Sequence, residues 1–464
     1  MSVPMMRLSE AAAMLGVPSN GPDTEVLRVS TDSRSLQPGD LFIALRGEKY
    51  DGGAFAAQAL RQGAAGVVLD AWQAPDIKAA IRVDDTRLAL GRLAAAWRAR
   101  FLLPVVAITG SNGKTTVKEM LAAILRAEAG SDAAVLSTEG NLNNDIGLPL
   151  MLLRLRAQHQ FAVLEMGMNH VGEIDTLTRL ARPDVALVNN AMTAHIGLLG
   201  SVEAIARAKG EIFNGLTNAG IAVFNADDPH AGLWREMNAR RSVIDFGLKQ
   251  PAAVRGRYES TEFGTALTLT LPNATLDITL QVPGEHNVMN ALAAAAAAFT
   301  LDVSYRNIVA GLSGFTGVKG RLQKKAALYG STFIDDTYNA NPDSVKAALA
   351  VLAQQPGRKI LVLGDMGELG ADAAAMHAQI GLAARAAGIE RLLALGELSR
   401  ETVSAFGAGA MHFERIQELL AELENELTPE TTVLVKGSRF MQMERVVQSF
   451  MDAPVVMAAG AQGH

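Results

Sequence analysis

Residues Gly110, Ser111, Asn112, Gly113, Lys114, Thr115 and Thr116 form the run GSNGKTT, which carries the parts of a phosphate cradle. The two glycines let backbone N–H groups approach phosphate oxygens, Lys114 can reach the β and γ phosphates, and the Thr115 hydroxyl can hold Mg2+. The apolar run PVVAIT leads into the loop and the helical pattern VKEMLAAILRAE leaves it, so strand, loop and helix start come in the required order. The spacing departs from G-x-x-x-x-G-K-[ST], because Ile108 stands five residues before Gly113 and leaves a shorter G-x-x-G-K-T. ATP is the expected ligand, against the plainer alternative of a glycine-rich strand-to-helix turn with an incidental lysine.

Two further residues are placed where chemistry could use them. Glu165 ends the apolar run FAVLE, and a carboxylate at the C-terminal end of a parallel strand faces the ligand crevice, where it could hold Mg2+. A solvated carboxylate at a strand end is the alternative. His195 follows the run VALVNN in the same way, and by itself says little.

These side chains need a sheet to position them. From Asp85 onward a helical pattern leads to PVVAIT, and FAVLE, VALVNN and GIAVFNA then alternate with helical segments, the mark of βαβ units and a parallel sheet. Residues 26–70 alternate short β-rich runs with turn clusters and one Ala-rich helical stretch, and a second strand-and-helix series starts beyond Gly320 with TFIDD, KILVLGD, RLLALG and TVLVKGS. The expected fold is α/β in three domains. A small N-terminal α/β domain (1–84) and a C-terminal Rossmann-like α/β domain (314–464) flank a central P-loop parallel-sheet ATPase domain (85–313). A length of 464 residues fits about three domains, since one core rarely grows past ~250 to 300 residues. The tail after Asp452 has little to bury and is expected to fray.

Composition narrows the partners. Hydrophobic residues are 49% and charged residues 19%, as in a folded globular protein, and the formal net charge of −6 without any basic run argues against nucleic acid. There is no Cys, which excludes disulfides, thiolate metal sites and cysteine nucleophiles and fits a reducing cytoplasm. Arg7 and Glu10 interrupt any signal-peptide pattern, and the longest apolar run, Ala291 to Phe299, falls far short of the ~20 residues a membrane span needs. A cytoplasmic monomer with small-molecule partners and no membrane span is expected.

Seven motifs occur in one order over nearly the whole chain: TGSNGKTT, TEGNLNNDIGLP, EMGMNHVGEI, NNAMTAHIGLLGS, ARAKGEIF, GEHNVMNALAA and DDTYNANPDS. Together they resemble the Mur ligase family. EMGMNHVGEI and DDTYNANPDS resemble the members that join D-alanyl-D-alanine to UDP-N-acetylmuramoyl-tripeptide in peptidoglycan precursor synthesis, a pathway that underlies cell shape and division. The D-N-P-R motif of the members that add diaminopimelate or lysine is absent. The resemblance implies an ATP-dependent amide ligase working through an acyl phosphate. A folylpolyglutamate synthase would share the phosphate loop and not DDTYNANPDS, and a P-loop motor ATPase would need a hydrolytic D-E pair that is not found.

The resemblance also implies roles for residues. Thr115 and Glu165 would hold one Mg2+, and His195 with Lys209 a second; the 14-residue interval between the last two suits the family pattern. A protonated lysine cannot bind a cation, so the family's carbamylation of this lysine by CO2 supplies the anion; a solvated lysine on the helix VEAIARAKGEIF is the alternative. Asn287 and Asn290 would read adenine, with an N-cap role for Asn287 as competitor. Arg321 would meet the phosphates and Asp336 the ribose, making ATP a ligand shared by two domains. Ser33 and Arg34 in STDSRSLQPGD are candidate UDP contacts, although Asp32 or Ser33 equally serves to fix a turn. The family often has His after the Asp-Gly pair, and Gly53 stands there, so that contact is not carried over. Thr138, Asn141 and Asn144 would face the muramoyl peptide or the γ-phosphate, and Tyr338, Asn339, Asn341, Lys436 and Ser438 would host the incoming dipeptide.

Overall fold

The computed structural model describes residues 3–18, 21–47, 51–73, 77 and 79–451; the tail beyond Asp452 lies outside them. Besides a two-stranded antiparallel ribbon (Met6–Arg7 with Glu25–Val26), three larger sheets each fall in their own stretch of chain. The first is a four-stranded parallel sheet in the order β1 (Arg28–Ser30), β2 (Asp40–Ile43), β3 (Gly66–Asp70), β4 (Ala80–Val83). Helix α1 (Thr86–Arg98) follows, its N-cap Asp85 accepting from the N–H groups of Arg87 and Leu88. One apolar cluster runs from Leu8, Val68 and Ile81 through Leu93 and Trp97 to Leu148 and Leu164, so the first domain shares a core with one face of the second.

The central sheet has nine strands. In chain order they are β5 (Val105–Thr109), β6 (Val135–Ser137), β7 (Phe161–Glu165), β8 (Val185–Val188), β9 (Ile221–Asn225), β10 (Ser242–Gly247), β11 (Val254–Ser260), β12 (Thr265–Leu271) and β13 (Ala274–Leu280). In space they lie 13-12-11-10-9-8-5-7-6. The strands from β6 to β11 are parallel, and β11 to β13 form an antiparallel extension. That extension differs from the purely parallel sheet expected. Its basis is the alternating segment TALTLTL, which turns one side of β12 inward and leaves the other more exposed.

The strand order places the chemistry. The chain leaves β5, fills one side with β6 and β7, then crosses to the other side with β8, so β5 sits at the switch point where a crevice opens beyond the strand ends. From there starts α2 (Lys114–Ala129), and beyond it in the chain come α3 (Val202–Gly210), α4 (Glu285–Thr300) and α5 (Tyr305–Ser313). In α4 the alanines 293–298 are all fully buried, small enough to let the helix lie close to its neighbours. Gly311 of α5 allows an equally close approach, for a Cβ there would lie 2.4 Å from Ile124 Cα.

The third sheet is six-stranded: β14 (Gln323–Ala326), β15 (Thr332–Asp336), β16 (Arg358–Gly364), β17 (Arg391–Leu395), β18 (Ala410–Phe413) and β19 (Thr431–Lys436), in the order 14-15-19-16-17-18. All pairs but β14 with β15 are parallel, and helices including α6 (Pro342–Ala353) and α7 (Ala373–Ala386) give it two apolar clusters of its own. Among the described residues no helix is long and apolar enough to cross a membrane.

The Gly311 contact yields a stability prediction. Gly311→Val should overpack the α2–α5 contact and cost about 1–3 kcal/mol, read as a lower Tm, whereas an unchanged Tm would contradict the close approach.

Candidate active site

A cleft of about 1370 Å³ opens over the C-terminal ends of β5, β7 and β8, and the third domain forms its far wall. The loop 110–113 forms its floor. Gly113 has φ +80 and caps α2, and a Cβ on it would lie 2.3 Å from Asn290 Oδ1 and 2.5 Å from Asn189 Nδ2, so only glycine fits. Asn112 is held from both sides: its N–H donates to Asn190 Oδ1 at 2.9 Å, and its carbonyl accepts from Asn189 and Asn190. The loop is therefore rigid before any ligand arrives.

Positive charge collects above it. Lys114 Nζ donates to Gly110 O at 2.7 Å, and burial pushes its ammonium below the ordinary lysine range, opposed by Glu165. Arg321 reaches across from the third domain: Nη2 donates to Thr115 Oγ1 at 3.2 Å and the guanidinium lies 4.3 Å from the Tyr338 ring centroid. Its Nε is buried and has no hydrogen-bond partner among the described residues, an arrangement that an anion would complete. Lys209 of α3 is 1% exposed, and burial and the neighbouring Lys114 push its ammonium well below the ordinary value. No carboxylate is ion-paired with it among the described residues.

The carboxylate of Glu165 stands beside the phosphate loop. Glu165 is 3% exposed, accepts from Thr115 Oγ1 and from Asn143 Nδ2, both at 2.8 Å, and its N–H donates to Thr138 Oγ1 at 2.9 Å. A hydroxyl and a carboxylate oxygen side by side suit a hard cation such as Mg2+, which usually takes few protein ligands and shares phosphate oxygens. No group of three His, Asp or Glu converges into a ready-made metal cage among the described residues. His195, in a left-handed backbone at φ +66, brings Nδ1 to 2.7 Å from Glu368 Oε2 of the third domain.

The other expected residues fall in several places. Asn141, Asn144, Tyr338 and Asn339 line the cleft. Thr138 is not on its wall; it is 1% exposed and holds Glu165 from behind, while its carbonyl accepts from buried Lys118 at 2.5 Å. Asn287 is not the N-cap of α4, a place Gly284 takes; instead its Oδ1 accepts from Asn290 Nδ2 at 3.3 Å and its Nδ2 donates to Pro283 O at 2.8 Å. Asn290 Oδ1 in turn accepts from Asn189, which ties both amides to the phosphate loop.

Lys436 pairs with Asp336 at 2.5 Å, both buried, and burial drives each toward its neutral form, Asp336 upward and Lys436 downward, against the pull of the partner. Asn341 caps α6 and exchanges amide hydrogen bonds with Asn112, while Ser438 Oγ donates to Ala340 O and accepts from Gly367 N–H. Asn341, Lys436 and Ser438 thus build the wall of the cleft as well as line it. Ser33 and Arg34 lie outside it, in a turn where Asp32 accepts from the Arg34 N–H and guanidinium.

Asn143 and Glu368 were not singled out from sequence. Asn143 stands inside TEGNLNND, but which of its asparagines meets Glu165 depends on the path of the loop. Glu368 follows the apolar run KILVLGD in a glycine-flanked turn, a signal of a strand-end loop only.

Comparisons with known proteins agree over most of the chain. The model for the Mur ligase family, catalytic domain, matches residues 25–98, that for the Mur ligase middle domain residues 108–298, and that for the Mur ligase, glutamate ligase domain, residues 320–439. The Escherichia coli (strain K12) UDP-N-acetylmuramoyl-tripeptide--D-alanyl-D-alanine ligase is 43% identical over 452 residues, 96% of this chain and 98% of its own. A crystal structure of MurF from Acinetobacter baumannii superposes with a TM-score of 0.89 at 38% identity, covering 96% of this chain and 99% of that one. MurF from Thermotoga maritima, solved in complex with ADP, gives 0.81 at 27% identity over 91% and 96%.

The Asp336–Lys436 pair predicts that Lys436→Met, which strands a buried carboxylate, destabilises the protein by about 3–5 kcal/mol. Thermal unfolding measures it, and a Tm within error of the parent would contradict the pairing.

Proposed function

The chain belongs to the Mur ligase family, and from that premise we propose how its cleft works as that of an ATP-dependent ligase joining D-alanyl-D-alanine to UDP-N-acetylmuramoyl-tripeptide, in the cytoplasm, for peptidoglycan precursor synthesis. The observation that carries the reading is Arg321 of the third domain at 3.2 Å from Thr115 of the phosphate loop, with a buried guanidinium nitrogen left for an anion.

A carboxylate is a poor acyl donor because oxide is a poor leaving group. Transfer of the γ-phosphoryl of ATP to the terminal carboxylate of the tripeptide gives an acyl phosphate and ADP. The amine of D-alanyl-D-alanine then attacks the carbonyl carbon, the C–O bond to phosphate breaks, and the amine gives up a proton as the amide forms. Phosphoryl transfer needs positioning and neutralisation of charge more than covalent help. Backbone N–H groups at the start of α2 hold the phosphates, Lys114 meets the charge on the moving phosphoryl, and Arg321 closes over them from the third domain. Asp336 sits beside Arg321 for the ribose, and Asn287 and Asn290 line the adenine end of the cleft. Asn141 and Asn144 face the acyl donor, Tyr338 and Asn339 the dipeptide, and Ser33 and Arg34 serve the UDP group on the first domain.

Mg2+ would be held by Thr115 and Glu165, and a second ion by His195 and Lys209; bound there, it would neutralise phosphate charge. A cationic Lys209 does not fit that role, whereas its carbamate does. Burial beside Lys114 favours the neutral amine, the only form that reacts with CO2: its nitrogen bonds the carbon, loses a proton and becomes an anionic carbamate.

Phosphate release measured across amines and UDP-sugar peptides tests the reading: it should require both D-alanyl-D-alanine and the UDP-tripeptide, and release with neither or with glutamate alone would overturn it. Lys114→Ala should lose 10² to 10³ or more in rate, ~3 to 4 kcal/mol, while staying folded. Arg321→Ala should weaken ATP binding in calorimetry, and unchanged affinity would remove the third domain from the site. Lys209→Ala should be nearly inactive and partly restored by short carboxylic acids, Lys209→Arg should stay inactive, and 13C-bicarbonate should label the parent protein at this lysine; an Arg variant with full activity would end the carbamate.

A further inference from the structure

His195 and Glu368 come from different domains, and both hold a left-handed backbone, at φ +66 and φ +63. Non-glycine residues keep that conformation where surrounding contacts over-determine it. Here the contacts are many. Gly197 N–H donates to Glu368 O at 3.1 Å, and a Cβ on Gly197 would lie 2.5 Å from Gly370 N, so the two domains touch backbone to backbone beside the pair. The loop carrying Glu368 is fixed from behind: Met366 N–H donates to buried His377 Nε2 at 3.0 Å, and Gly367 N–H to Ser438 Oγ at 2.8 Å.

The reaction derived above has no task for Glu368, and a carboxylate beside a phosphate site needs a reason. Its only ion pair among the described residues is His195, whose buried Nδ1 lies 2.7 Å away but outside hydrogen-bond alignment, so the ring must rotate to complete the contact. We propose that Glu368 is the positioning residue for His195, its carboxylate taking ring Nδ1 when the third domain closes and leaving Nε2 as the nitrogen that faces the reaction centre. Imidazoles that serve metal sites are commonly oriented by a carboxylate on the other ring nitrogen. In this chain the carboxylate arrives from another domain, so His195 is oriented only in the closed form. The inference rests on the ligase reading for what His195 serves.

Three variants of the full chain test it: Glu368→Ala, Glu368→Gly and Glu368→Gln. A left-handed φ suits glycine, so if Glu368 only shapes its loop the Gly variant should match the parent. The proposal expects Ala and Gly to lower kcat of dipeptide-dependent phosphate release by about 10- to 100-fold. KM for D-alanyl-D-alanine should stay within about 3-fold, and Gln, which keeps an acceptor oxygen, should hold kcat within about 5-fold. The Tm of the Gly variant should equal or exceed the parent's. Independently, 15N NMR of the metal-free protein closed by a non-hydrolysable ATP analogue should find the His195 ring protonated at Nδ1, and Glu368→Ala should shift it toward the Nε2–H form. A Gly variant with parental kcat, or an unchanged His195 ring in Glu368→Ala, would overturn the proposal. If the parent itself released no phosphate with the dipeptide, the ligase reading would fail, and the NMR comparison would still decide the role of Glu368.

Discussion

One electrostatic constraint organises the site: two cationic side chains, Lys114 and Arg321, stand at the phosphate loop, and the buried Nε of Arg321 has no partner among the described residues. Lys114 and Arg321 meet at the phosphate loop beside the carboxylate of Glu165, which is already engaged by Thr115 and Asn143, and buried Lys209 adds no compensating negative charge. A buried cation without a partner is costly. A triphosphate resolves that imbalance, so the ligand completes the fold at this point.

The same constraint explains the architecture. A parallel sheet with its switch point at β5 brings a glycine loop, the end of β7 and the end of β8 to one crevice, but such a crevice is open to water on its outer side. The third domain covers it. Asn341 meets Asn112, Asp343 accepts from the backbone N–H and hydroxyl of Thr193, Glu368 meets His195, and Arg321 reaches Thr115. All four contacts fall on the phosphate loop, the first turn of α2 or the segment just after β8, so closure is felt where the phosphoryl moves. Excluding water strengthens each charge interaction inside.

Much of this was legible from residue types. The loop 110–116, Glu165 at a strand end, and the three α/β segments follow from local pattern, because glycine spacing and apolar runs report the backbone directly. What stayed hidden depends on packing between distant segments. Thr138 reads as a cleft residue in TEGNLNND, yet its hydroxyl faces inward to the Glu165 N–H. The cap role that competed with the adenine reading of Asn287 falls away because the chain enters α4 one turn earlier, at Gly284. The antiparallel β11–β13 extension was passed over because GIAVFNA and its neighbours set the expectation of an all-parallel sheet. Glu368 lies 173 positions beyond His195 in the chain, and only the docking of two domains makes them neighbours.

The most direct test is a crystal structure of the parent protein with Mg2+ and a non-hydrolysable ATP analogue. The account predicts the third domain closed as described here, with the Arg321 guanidinium moved from Thr115 onto a phosphate oxygen and Glu165 beside the metal. Phosphates bound on the loop with the third domain swung away and Arg321 in solvent would contradict it.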